Sequence, residues 1–88
     1  MIIRSQDKLK ITTDLNLEIY DCHDDRFEIV NQTVDMLGIY STQEKAFKVL
    51  DMICEAYSRI EDVANHIVQA TKEDSYVFQM PLDEEVEV

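Results

Sequence analysis

The spacing of apolar residues changes at Ser41, and that change limits the folds open to this chain more than any other feature. Ahead of it, Leu15, Leu17 and Ile19 alternate with polar partners, and Phe27 and Ile29 do the same. Behind it, Ala46, Val49, Leu50, Ile53, Tyr57, Ile60, Val63, Ala64 and Ile67 recur at steps of three and four. A period of two places alternate side chains on opposite faces of a strand, whereas a period near 3.6 gathers them on one helix face. The chain therefore reads as strands followed by a long amphipathic helix. Phe47, Cys54 and Val68 widen the apolar face of that helix. Ser41-Thr42-Gln43-Glu44 fits a capping box, with the Ser41 hydroxyl accepting from the Glu44 amide and the Glu44 carboxylate reaching back.

The strand half divides at its polar runs. Met1–Arg4 opens a sheet, Ser5–Lys8 supplies a turn, and Leu9–Thr13 forms the next strand. Leu15–Tyr20 follows, then a polar turn at Asp21–Asp25, a strand at Phe27–Val30, a connection at Asn31–Thr33 and a strand at Val34–Tyr40. Gly38 inside the last of these marks a bulge or a close approach of the following helix. Lys72–Ser75 ends the helix, Tyr76–Met80 has strand composition, and Pro81 stops it. The expected fold is α+β: an antiparallel β-meander of four to five short strands packed on one long C-terminal α-helix, with a final strand. One domain covers 1–82, and 83–88 forms an acidic flexible tail.

The length of the helix poses a question of its own. From Thr42 to Thr71 it would run about 45 Å at 1.5 Å per residue. A globule of this size has a radius of gyration near 12–13 Å, so the last turns would project beyond the sheet. Either the helix breaks near Ser58, where Ser58-Arg59-Ile60-Glu61 offers a second capping box, or its distal stripe packs on a second copy. No Gly or Pro forces the break, so the expectation is an unbroken helix and a homodimer, with Ile60, Val63, Ala64 and Ile67 at the interface.

Nineteen Asp and Glu against eight Lys and Arg give a formal charge of −11. Binding nucleic acid through its phosphates requires the opposite sign, and anionic membrane is disfavoured for the same reason. A basic protein surface would be drawn in over distance. The charge also serves solubility. Met1–Arg4 is too short and too quickly polar for a signal peptide, and no run approaches the ~18 apolar residues of a membrane span. With only Cys22 and Cys54, the expected compartment is the reducing cytoplasm.

The search for chemistry yields little. Asp21-Cys22-His23-Asp24-Asp25 is the densest set of metal-ligating types, yet alternation lets at most two or three converge, with only Cys54 or His66 elsewhere to complete a site. A polar hairpin turn is the reading. Cys54 lies on the apolar side of the helix and reads as a small buried hydrophobe, since thiolate activation needs a cationic neighbour or a helix N-terminus. With one glycine in the chain there is no phosphate-cradling loop, and neither Gly-x-Ser-x-Gly nor His-Glu-x-x-His occurs. No enzyme activity, metal or cofactor is expected. Phe27, Phe47, Tyr57 and Phe78 sit at core positions. Tyr20, Tyr40 and Tyr76 read as core or half-core, although an exposed tyrosine beside acidic groups makes a protein-binding anchor.

Three stretches carry a family resemblance: the opening Met-Ile-Ile-Arg-Ser-Gln-Asp, the run Leu37-Gly38-Ile39-Tyr40-Ser41-Thr42-Gln43-Glu44-Lys45-Ala46 into Val49-Leu50-Asp51-Met52-Ile53, and Phe78-Gln79-Met80-Pro81. In these the chain resembles small, mostly uncharacterised accessory proteins of phages and prophages of Gram-positive bacteria. The likeness covers most of the chain except about 58–75, which looks like an enlarged insertion. It carries no functional residues over. It implies a setting in which small phage proteins bind and inhibit host machinery, nucleases and defence systems among them. The functional expectation is a non-catalytic accessory protein that binds a basic host protein through Asp21, Asp24, Asp25, Glu61, Asp62, Asp83, Glu84 and Glu85. The alternatives are a homo-oligomeric structural module or a small-molecule binder.

Overall fold

A computed structural model describes residues 1–66 and 76–88 of the chain, residues 60–66 by their backbone alone. Among these, six strands and one long helix follow the order β1 (Ile2–Arg4), β2 (Ile11–Thr12), β3 (Glu18–Asp21), β4 (Phe27–Asn31), β5 (Asp35–Tyr40), α1 (Gln43–His66) and β6 (Val77–Gln79), with a 3-10 turn at Asp83–Glu85. The α+β architecture is the expected one. The sheet arrangement differs from one continuous meander. Strands β3–β4–β5 form an antiparallel meander, while β2–β1–β6 form a second sheet in which β1 pairs antiparallel with β2 and parallel with β6. The alternation of Ile3, Thr12 and Phe78 shows which faces turn inward, but it is silent on which strand a given strand will pair with.

The first turn follows from its side chains. The Ser5 hydroxyl donates to Asp7 Oδ1 at 2.6 Å, and the same carboxylate oxygen accepts the Leu9 amide at 2.9 Å. Ser5 Oγ in turn accepts the Lys10 amide at 3.1 Å. These bonds hold Lys8 at a φ of 67°, the left-handed region that the tight turn requires. The expected strand at 15–20 starts only at Glu18, because Asp14 Oδ1 captures the Asn16 amide at 2.9 Å and turns the chain. Leu15, read as inward, is consequently 40% exposed.

Gly38 sits at a bulge, where the register changes between the pairs Ile29–Gly38 and Val30–Met36. The close approach is made by side chains rather than by the helix. A Cβ on Gly38 would stand 3.1 Å from Gln6 Cδ and 3.1 Å from both Cε2 and Oη of Tyr40. Those two side chains join the halves of the molecule. Gln6 accepts the Ile39 amide at 2.8 Å and donates to the Ile39 carbonyl at 3.1 Å and the Pro81 carbonyl at 2.9 Å. The Tyr40 hydroxyl donates to the same Pro81 carbonyl at 2.7 Å, and burial pushes that hydroxyl well above the ordinary tyrosine range, so it remains a donor.

The core draws on both sheets, the helix and the C-terminal segment: Met1 and Ile3, then Ile29, Leu37 and Tyr40, then Ala46, Val49 and Ile53, then Met80 and Val86. Each fully buried aliphatic side chain contributes roughly 1.5–3 kcal/mol. Helix residues Ala46, Val49 and Ile53 reach this core at the spacing of one helix face, with Leu50, Ala56 and Tyr57 packed against it. Two expected members of the face point away. Phe47 is 51% exposed, and Cys54 is exposed rather than buried, because the stripe that meets the sheets is narrower than the apolar arc of the sequence. The helix end expected at Thr71 and the interface residue Ile67 lie outside the described residues, as do the side chains of Ile60, Val63 and Ala64.

The helix cap is displaced by one residue from the expected box. Thr42 Oγ1, not Ser41, accepts an amide hydrogen of the first turn, that of Lys45 at 3.1 Å. Ser41 is engaged by the C-terminal segment. Its amide and hydroxyl both donate to Asp83 Oδ1, at 2.7 and 3.0 Å. Residues 83–86, expected as part of a flexible tail, instead form the 3-10 turn and place Val86 in the core. The apolar Val86 supplies the reason, since burying it anchors a stretch whose neighbours are acidic.

Substituting Gly38→Ala is expected to push Gln6 and Tyr40 from their bonds and lower stability by about 1–3 kcal/mol, as overpacking does. A net stability of roughly 0.05–0.15 kcal/mol per residue makes that a large share. Urea denaturation at neutral pH reads it as a lower midpoint with an unchanged slope.

Candidate functional site

The outer face of the meander forms the candidate site. Pairing of Glu18 with Val30 and of Tyr20 with Glu28 puts these four side chains on one face, while Ile19, Ile29 and Phe27 face the core. Val30 pairs with Met36, which extends the same outward face onto β5. The segment 14–16 folds over one end and raises a wall. Asn31 holds it there: its Nδ2 donates to Thr12 Oγ1 at 3.3 Å and to the Asp14 carbonyl at 3.2 Å. The Asn31 side-chain oxygen meanwhile accepts the amides of Thr33 and Val34 at 3.1 and 2.9 Å, closing the β4–β5 turn. Thr33 adds a hydroxyl bond to Asp14 Oδ2 at 3.1 Å. An open groove of about 710 Å³ results.

Its lining has one sign of charge. Asp14, Glu18, Glu28 and Asp35 contribute carboxylates, Asn16, Asn31 and Gln32 contribute amides, and no lysine or arginine among the described residues lines it. Tyr20, Val30 and Met36 supply apolar surface. Tyr20 is 55% exposed beside the groove carboxylates, Tyr76 is 41% exposed, and Tyr40 is buried in the core. One carboxylate is partly neutralised from the rim. Arg26 reaches Glu28 Oε2 at 3.7 Å, and the Cys22 thiol donates to the same oxygen at 2.9 Å. That hydrogen bond, together with burial and the Glu28 charge, raises the Cys22 thiol above its ordinary value. A protonated thiol held by a carboxylate is a poor nucleophile.

The residues chosen from sequence are spread over three places. Asp21, Asp24 and Asp25 belong to the β3–β4 turn beside the groove. There Asp21 Oδ1 accepts the His23 amide at 2.9 Å, and His23, Asp24 and Asp25 all adopt positive φ, at 63°, 53° and 58°. The turn is a polar hairpin closed by the Cys22 amide donating to the Arg26 carbonyl at 2.9 Å and the Arg26 amide donating to the His23 carbonyl at 3.2 Å. Among the described residues no group of three His, Cys, Asp or Glu is placed to hold a metal ion. Glu61 and Asp62 fall on α1, with side chains outside the described residues, and so does the side chain of His66. Asp83 is committed to Ser41 and to Lys45, whose Nζ lies 3.5 Å from Oδ2, and Glu85 accepts the Leu82 amide at 2.8 Å. Glu84 is exposed.

The groove carboxylates were not singled out by the sequence reading. Their signal was present in the polar halves of the same alternations that located Ile19, Phe27 and Ile29. Joining them required the register of β3 on β4 and the fold-over of 14–16, which depends on a buried Asn31. No helix among the described residues is long and apolar enough to cross a membrane. The chain matches no family model, no curated protein and no solved structure.

The Asp83 carboxylate is held below the ordinary aspartate value, first by the Ser41 amide and further by the Ser41 hydroxyl and Lys45. A depressed folded value means that this contribution is complete above the unfolded value of about 3.9 and fades as pH falls through the lower folded value. Asp83→Asn is expected to lose about 1 kcal/mol at pH 7, the small size reflecting partial exposure. Thermal melts should show a midpoint lowered by roughly 4–8 °C. The gap to wild type should narrow as the pH drops from 5 towards 2.

Proposed function

We propose that this chain is a non-catalytic accessory protein that binds a basic surface of another protein, with the meander groove as its recognition face. The observation that carries the reading is the groove itself: about 710 Å³, four carboxylates, apolar floor residues and no cation among its described lining residues. The net charge of −11 supplies long-range attraction to a positively charged partner, and the groove supplies a place for lysine or arginine side chains with apolar neighbours. The acidic β3–β4 turn, with Asp21, Asp24 and Asp25, extends the negative surface beyond the groove. Asp83 and Glu85 contribute less than the sequence implied, because their carboxylates already have partners within the chain. The likeness to phage accessory proteins points to a host protein as the partner, a nucleic-acid-binding or defence protein in the cytoplasm being the class whose surface is most basic.

A second reading concerns self-assembly. Phe47 and Cys54 lie exposed on α1, away from the core. A homodimer along an unbroken helix to Thr71 would instead use Ile60, Val63, Ala64 and Ile67, which at helical spacing continue the stripe of Val49 and Ile53 and fall on the side opposite Phe47 and Cys54. Val63→Glu would then convert a dimer to a monomer in light scattering while leaving the far-UV spectrum intact.

The groove reading is tested with a short Lys/Arg-rich peptide containing leucine, titrated against the protein by fluorescence anisotropy. Affinity should fall at least tenfold between 50 and 300 mM salt, since exposed charges are screened over ~8 Å at physiological ionic strength. The double variant Glu18→Lys, Asp35→Lys should bind at least tenfold more weakly. Equal binding by variant and wild type would remove the groove from the proposal.

A further inference from the structure

Four of the chain's eight cations are Arg4, Lys8, Lys10 and Arg26, and two of them bracket the β1–β2 turn. That turn carries the sequence Lys8-Leu9-Lys10-Ile11, in which cationic and apolar side chains alternate. All four residues are exposed, Leu9 at 83% and Ile11 at 60%. The tip is held rigidly. The Lys8 amide donates to the Ser5 carbonyl at 2.9 Å, and the Ser5 amide donates to the Lys10 carbonyl at 2.9 Å. Asp7 is the one acidic residue of the tip, and its carboxylate is turned onto Ser5 and the Leu9 amide rather than outward. A preorganised basic and apolar segment of this kind is the complement of the groove on the outer face of the meander.

We propose that the groove accepts the Lys8–Ile11 turn of a second copy of this chain, so that molecules associate head to tail. This rests on the reading of the groove as a receptor for basic segments, and it names an occupant carried by the chain itself. Lys8 and Lys10 meet carboxylates of Glu18, Asp35 and Asp14, while Leu9 covers Val30 and Met36. The donor and acceptor surfaces are different patches, so a single head-to-tail contact is heterologous and leaves one groove and one turn of the pair free. Association therefore continues beyond the dimer into chains or rings. Opposing it is the repulsion between two bodies of formal charge −11, which acts over tens of ångströms. At physiological ionic strength that repulsion is screened over ~8 Å, whereas direct ion pairs across the groove stand closer than this. Self-association is thus weaker in ~10 mM salt than in ~150 mM. A basic partner that fills the groove dissolves the assembly, which makes self-occupancy a reversible mask on the binding face.

Sedimentation equilibrium of the full chain up to ~1 mM, at ~10 and ~150 mM salt, tests the proposal. The expected result is a mass that climbs with concentration past twice 10.3 kDa, more strongly at the higher salt. The variant pair Lys8→Glu, Lys10→Glu and the groove pair Glu18→Lys, Asp35→Lys should each weaken association at least tenfold. Mixing the two double variants in equal amounts should restore it, because each then offers the other a complementary surface. A strictly monomeric wild type overturns the proposal, as does a mass that stops at a dimer or is unchanged in both variants. Failure of self-association with intact binding of the Lys/Arg-rich peptide would leave the groove reading standing. Loss of both would end both.

Discussion

One side-chain amide organises this molecule. Gln6 leaves the β1–β2 turn and pairs with both backbone groups of Ile39, as another strand would, while also reaching the Pro81 carbonyl. Two sheets that share no strand pairing are joined there, and Tyr40 completes the junction from the opposite side by donating to the same carbonyl. A buried polar junction of this kind is stable only when each of its groups is satisfied. Here that condition is met, since no buried side-chain nitrogen or oxygen among the described residues lacks a partner. The space the junction needs comes from Gly38, whose missing side chain lets Gln6 and Tyr40 pass.

The same economy of polar groups appears at the start of the helix. Thr42 caps the first turn, which frees Ser41 to hold Asp83. The helix N-terminus, Lys45 and a carboxylate from the far end of the sequence then form one local arrangement, with favourable charge at the positive end of the helix dipole. Val86 supplies the apolar anchor and Asp83 the directional one. The acidic segment is thereby part of the fold, with Asp83 and Glu85 engaged inside the chain rather than free on its surface.

Much of this was legible in the residues. The change of period at Ser41 located the strands and the helix, and Phe27, Ile29, Val49 and Ile53 fell on the faces expected of them. Gly38 announced its bulge. What could not be read depended on partners distant in sequence. The parallel pairing of β1 with β6, the docking of Asp83 on Ser41 and the pinning of Asp14 by Asn31 all join residues whose local sequences are unremarkable. The groove was hidden for the same reason. Glu18 and Glu28 look like the solvated half of two amphipathic strands until the register sets them on one face beneath Asp14. Conversely, Phe47 and Cys54 satisfied the helical pattern yet lie outside the contact, because periodicity defines an arc wider than the surface that covers it.

The parallel pairing of β1 with β6, far apart in sequence, has a kinetic meaning. Arg4 and Gln79 are hydrogen-bonded across a separation of 75 positions, so β1 lacks its second neighbour until almost the whole chain has been synthesised. Contacts of such long range close late, because the intervening chain must surrender its freedom before they repay it. The meander β3–β4–β5, built from neighbouring segments, is able to assemble first and offer Leu37 and Ile39 as a template for Gln6. During that interval Ile2 and Ile3 present an unpaired edge. A ribosome stalled before residue 77 would release a chain whose sheet remains open on that side, prone to capture by chaperones or by another nascent copy.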